Sequence, residues 1–353
     1  MNKALIISGG GSKGAFAVGV IKDLITTYQL NFDTVVGTST GSLIAPLAAM
    51  QQLDVLERLY TTFNTDDLIE HYDIGARVKQ SSLFTANGLG ANVKQIFTDD
   101  FYAALIKAGK KIYLTSTCLQ SGELVVFTTD PDPAPGSYYT VQKIQNADHF
   151  RKAIMASASQ PVFMPPIHVN ENLAVNPGYQ FVDGGVREYA GVGIALDTGA
   201  TELFTILLAA KNEAPATNQF SDLVPILMQT IDIFITDVSA NDLYGPRQLI
   251  NFINYINDTR QNMLRAGVPA HTIDQYFSNQ NPAYANLINR AAIKWHIIQP
   301  DQPLGGGPGG LEFDPDAMRQ MLVTGQTTAA AYVAALKPGE VDWAIGKPQL
   351  VPA

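Results

Sequence analysis

The sequence predicts an α/β protein with a central, mostly parallel sheet flanked by helices, and three observations carry that prediction. Two strand-turn-helix units fill the first 50 residues, and parallel strands need crossovers of this kind. The later strands are short, β-branched runs separated by helical stretches. Scale is the third: 353 residues, 46% apolar and 16% charged, describe a compact chain that buries roughly three quarters of its unfolded surface. With no repeat, low-complexity tract or sharp linker, a single domain over 1–353 is expected. It divides into a motif-bearing part, 3–210, and a helical and strand extension, 211–353.

Residues 3–8 form the first expected strand, 9–14 a glycine turn, and 15–28 a helix with apolar Phe16, Val20, Leu24 and Ile25 on one face. Residues 32–37 form the second strand and 40–50 a buried, alanine-rich helix. Residues 111–119 and 123–129 read as strands joined at Gln120-Ser121-Gly122, a hairpin signal. A helix over 150–157 is stopped by Pro161. Strands follow at 179–183, 203–209 and 293–298. Between them, 221–239 is the longest apolar-periodic helix, with Ser221 as N-cap and Pro225 tolerable in its first turn. Asp314 caps the final helix, Pro315 takes its first position, and Phe313 can staple onto Met318. The Pro- and Gly-rich stretch 299–310 is expected to be an exposed loop.

Twenty-three Lys and Arg against 32 Asp and Glu give a net charge of -9, and no basic run offsets it, which argues against nucleic acid as a partner. The single cysteine, Cys118, is expected to be a small buried hydrophobe. Residues 1–8 hold too few apolar positions for a signal peptide. No apolar stretch approaches the roughly 18 residues of a membrane span. A cytoplasmic protein is the expectation, with leaderless secretion and transient contact with a membrane surface left open.

Chemistry concentrates in glycine turns. Gly9-Gly10-Gly11-Ser12-Lys13-Gly14 satisfies G-x-G-x-x-G between strand and helix, but the second strand ends Val35-Val36-Gly37-Thr38-Ser39, without the carboxylate that would hold a ribose. A P-loop fails too, since Lys13 precedes Gly14 rather than Ser or Thr. What remains is a set of unshielded backbone N–H groups at a helix N-terminus, which suits a negative oxygen. Gly37-Thr38-Ser39-Thr40-Gly41 has the form G-x-S-x-G at the second strand-to-helix turn, where a strained elbow would expose the Ser39 hydroxyl. Gly10–Gly14 matches the same form around Ser12. Ser39 is preferred as nucleophile, because the triple glycine is better employed as donor than as mount. A plain N-cap is the other reading of Ser39.

A serine nucleophile needs a base, and His71, His149, His168, His271 and His296 lie in no motif. Ser39 also comes too early for an α/β-hydrolase. A carboxylate can act instead if partial burial raises its pKa. Asp183 is the candidate: it closes the strand Gln180-Phe181-Val182, and Gly184-Gly185 behind it let another loop approach. A turn without chemistry is the competing reading.

In order and spacing these motifs resemble the patatin-like phospholipase family. Residues 9–14 look like its oxyanion loop, Gly37-Thr-Ser-Thr-Gly41 like its nucleophile elbow, and Asp183-Gly-Gly185 like its D-G-G/A motif. The block from Ala156 to Pro166 is similar to its A-S-x-A-x-P segment, near the acyl pocket. The resemblance implies a three-layer α/β fold and lipid acyl hydrolysis, of phospholipase A or non-specific type, through a Ser39–Asp183 dyad. It implies no histidine, metal or cofactor. Gly9, Gly10 and Gly11 would hold the oxyanion; Ser12, Lys13, Gly14, Gly37, Gly41, Gly184 and Gly185 would support the motifs. Lys13 either binds an anionic head group or only caps its turn. A catalytically silent lipid-binding or scaffold protein of the same fold is the alternative. The apolar face of 221–239 belongs to the core or touches a membrane, and the acidic balance favours neutral lipids over anionic bilayers.

Overall fold

The structure is a computed structural model and describes residues 2–71, 80–212, 219–278 and 287–337. Strand β1 (Lys3–Ile7) passes through a 3-10 turn at Gly11–Lys13 into helix α1 (Gly14–Thr26), and β2 (Thr34–Gly37) passes into α2 (Thr40–Ala49). Helices α3 (Leu53–Thr62) and α4 (Thr65–Leu68) follow. A short antiparallel pair, β3 (Glu70–His71) and β4 (Phe84–Thr85), precedes α5 (Asn87–Ile96) and α6 (Asp99–Lys107). Then come β5 (Lys111–Cys118), β6 (Leu124–Thr128), β7 (Thr140–Lys143), α7 (Ala147–Ala158), β8 (Phe181–Asp183) and α8 (Val192–Asp197). The chain continues through β9 (Glu202–Ile206), α9 (Leu223–Arg265), α10 (Ala270–Phe277), β10 (Lys294–Ile298) and α11 (Pro315–Ala335).

The main sheet has the order β10-β9-β1-β2-β5-β6-β7, with β10 through β5 all parallel and β6 antiparallel to β5. Successive side chains of a strand point to opposite faces. Leu5, Ile7 and Val35 accordingly enter one core with residues of α1, α2, α7 and α11, such as Phe16, Ile44, Phe150 and Met318. Ala4, Ile6 and Val36 enter another, with Val192 of α8 and Ile253 of α9. Two helical layers thus enclose the sheet. The extension belongs to this architecture, since β10 lengthens the sheet and α11 lies on α1, where Gly325 leaves room for the Phe16 carbonyl. Cys118 is buried at the end of β5.

Three expectations need correction. Asp222, not Ser221, is the N-cap of α9, and the helix runs on to Arg265, well past 239 and through Pro246. Its outer face carries Ile226, Leu227, Ile233 and Phe234, all exposed, while Ile231 packs beside Phe163 and Leu311. The stretch 299–310 is exposed only at 301–303 and 305, because the glycines at its far end fold back onto the residue 9–14 turn. The last helix starts as expected, with the Asp314 carboxylate accepting the Ala317 N–H and Pro315 in the first turn. No helix among the described residues is long and apolar enough to cross a membrane.

Candidate active site

Ser39 stands between β2 and α2 with φ 56 and ψ -122, a conformation that a residue with a Cβ adopts only under constraint. The constraint is visible around it. Its N–H donates to Ser157 Oγ at 3.1 Å, its carbonyl accepts from Ser42 Oγ at 2.6 Å, and the preceding Thr38 N–H donates to the Ile7 carbonyl at 3.1 Å. Gly37 ends β2, and Gly41 lies in the first turn of α2, where an added Cβ would meet the Ile7 carbonyl oxygen at 2.3 Å. Ser39 occupies the N-cap position, yet its hydroxyl makes no capping bond. The side chain stays available while the backbone around it is pinned.

Asp183 reaches Ser39 because β8 and β2 share one lane of the sheet. Along β5, β2 pairs as far as Leu114, opposite Gly37; β8 then pairs antiparallel from Ser116, opposite Asp183. The two strands therefore point their C-terminal ends at each other across Thr115, whose hydroxyl donates to Thr38 Oγ1 at 2.8 Å. Asp183 is almost wholly buried. Burial pushes its carboxyl up to about 7, against the opposing hydrogen bonds from the Ser39 hydroxyl and the Gly185 N–H. Gly184 and Gly185 open a 3-10 turn, and the Gly185 N–H donates to Asp183 Oδ1 at 2.7 Å, fixing the carboxylate's orientation.

The glycine turn also meets Ser39. An added Cβ on Gly9 would stand 3.3 Å from Ser39 Cβ, so the turn is in contact with Ser39. Gly9 departs from its expected role as donor, because its N–H is already given to the Tyr189 carbonyl at 3.2 Å. The N–H groups of Gly10 and Gly11 have no acceptor among the described residues. Gly11 has φ 58, and an added Cβ there would stand 2.1 Å from the Gly310 carbonyl oxygen. Gly14 begins α1. Ser12 is fully buried with its hydroxyl unpaired, next to Gly306, and Lys13 lies by the same glycine without an ion-pair partner among the described residues.

Beside Ser39 opens a largely apolar cavity of about 70 Å³, walled by Leu43, Tyr60, Val93, Met164, Leu311 and Phe313 among others. Gln160 and Gly309 also line the cavity, and no histidine among the described residues does. Among the described residues no group of three or more His, Cys, Asp or Glu side chains is placed to hold a metal ion. Sequence reasoning missed Ser157 as the partner of the Ser39 N–H, although it singled out the block containing it. It also missed the wall contributed by Gly309, Leu311 and Phe313, whose one signal was the glycine run at 305–310.

Comparison with known proteins gives a family match and two more distant similarities. The family described as patatin-like phospholipase matches residues 5–196, a span that includes the glycine turn, Ser39 and Asp183. A cUMP-AMP-activated phospholipase of Escherichia coli is 40% identical over 65 residues, 17% of this chain and 20% of that protein, so the match takes in only a fifth of the relative's length. Among solved structures, VipD from Legionella pneumophila is similar at 12% identity and a TM-score of 0.40. That match covers 94% of this chain and 66% of VipD, just under two thirds of its length.

Proposed function

The chain belongs to the patatin-like phospholipase family, and on that premise we propose that it is a serine hydrolase of lipid acyl esters working through a Ser39–Asp183 dyad. The observation that carries the reading is the meeting of the strained Ser39 elbow with a buried carboxyl whose proton affinity lies near neutrality. Asp183 takes the hydroxyl proton as Ser39 Oγ bonds to the ester carbonyl carbon. The oxygen that gains charge lies towards the N–H groups of Gly10 and Gly11, each worth about 3 kcal/mol of barrier by the measure of other oxyanion holes. Collapse breaks the bond to the alcohol, which leaves with the proton held by Asp183. Asp183 then draws a proton from water, hydroxide attacks the acyl group, and the fatty acid departs as the proton returns to Ser39. The apolar cavity takes the acyl chain, consistent with esters of apolar acids.

The test is release of fatty acid from a panel of p-nitrophenyl esters and phospholipids by wild type and Ser39→Ala. The reading expects turnover by wild type and a loss of at least about 10³-fold in the variant. Equal turnover by the two would overturn it.

A further inference from the structure

Behind the glycine turn lies a second pair of acidic side chains that the dyad chemistry does not use. Glu188 follows Asp183 by five residues and is buried; Asp242 comes from the middle of α9, outside the span matched by the family. Between them runs Tyr189, and each of its polar groups is engaged. Its N–H donates to Asp242 Oδ2, its carbonyl accepts the Gly9 N–H at 3.2 Å, and its hydroxyl accepts the Ala209 N–H at 3.0 Å. Glu188 in turn accepts the Gly191 N–H at 2.7 Å and the Tyr138 hydroxyl at 2.7 Å. One bonded path therefore leads from α9 through a single residue, Tyr189, to the first residue of the triple glycine.

We propose that Asp242 is a positioning residue for the oxyanion turn: by accepting the Tyr189 N–H, it fixes the carbonyl that holds the Gly9 N–H. Three successive glycines leave the turn little steric guidance of its own, and donors assist a reaction only when they are aimed in advance. The Gly9 bond supplies that aim from one side, and the Lys13 N–H to Gly10 carbonyl bond, at 3.2 Å, supplies it from the other. Glu188 and Asp242 are both pushed above the usual carboxylate range, chiefly by burial and, for Glu188, also by the Asp242 charge. Two neighbouring charges would otherwise repel, so a retained proton suits a structural clasp. The effect on turnover rests on the hydrolase reading, while the effect on the turn does not.

The test compares Asp242→Ala with Asp242→Asn, whose amide oxygen accepts the same N–H. Alanine is the best helix former, so neither change threatens α9. Amide hydrogen exchange over residues 8–14 is expected to quicken about tenfold in Asp242→Ala and to stay within about threefold of wild type in Asp242→Asn. On p-nitrophenyl esters, kcat should fall about tenfold in the alanine variant with KM within twofold, and the asparagine variant should restore it. Unchanged exchange over 8–14 in Asp242→Ala overturns the inference, as does an asparagine variant that behaves like alanine. A wild type no more active than Ser39→Ala would sink the hydrolase reading, and the exchange result would still decide this one.

Discussion

Two turns of this chain share the pattern G-x-S-x-G after neighbouring parallel strands, and they place their serines in opposite surroundings. Around Ser39, β2 stops short in its lane, β8 approaches from the other end, and the serine is held at φ 56 against the Asp183 carboxyl. Around Ser12, the glycine turn touches Ser39 through Gly9, while Ser12 itself is buried next to Gly306 with no hydrogen-bond partner among the described residues. Five letters do not distinguish these outcomes. What does is the segment that lies beside each turn: the Ser39 turn meets the end of β8 and its carboxyl, and the Ser12 turn meets the glycine-rich backbone of residues 305–310.

The sharpest way to break that comparison is Asp183→Asn, which should cut turnover by roughly 10²–10⁴-fold through loss of the base. It should also stabilise the protein at alkaline pH. A carboxyl held at about 7 when folded and near 3.8 when unfolded favours the fold fully below pH 3.8, and that contribution is lost as pH rises to 7 and beyond. The asparagine variant should therefore melt several degrees higher than wild type at pH 8, with the gap closing towards pH 4. Thermal melts across that range check it. A smaller loss, of about 10- to 100-fold in kcat, is expected for Gly11→Ala, because its Cβ would drive the turn off the Gly310 carbonyl and misaim the donors. Steady-state kinetics with a soluble ester would show it. Ser12→Ala should do least: turnover within twofold of wild type and a melting temperature equal or slightly higher, since a buried hydroxyl without a partner costs stability.

Much of the fold was legible because buried parallel strands are uninterrupted apolar runs and their crossovers begin at glycines. That is why β1, β2 and β5 lie nearly at their expected bounds, whereas β9 ends at Ile206, three residues short of its expected end. Ser39 and Asp183 were legible as motif residues, but not the shared lane that joins them, since three-residue β8 carries no signal of where it pairs. Helix α9 escaped its true length because Gly245-Pro246 reads as a helix break, whereas the helix runs through it and buries Ile250, Ile253 and Ile256 beyond. The run at 305–310 was misread as exposed for a different reason. Glycine marks a loop and a close backbone approach alike, and only the position of Gly310 against Gly11 tells them apart.

The central claim, that Ser39 and not Ser12 is the nucleophile, is tested most directly by covalent labelling with a fluorophosphonate followed by peptide mapping. The account predicts one label, on Ser39, gained at the same rate by Ser12→Ala and absent from Ser39→Ala, with a labelling rate that rises as pH passes about 7 and Asp183 gives up its proton. A label on Ser12, or one that survives Ser39→Ala, would contradict it.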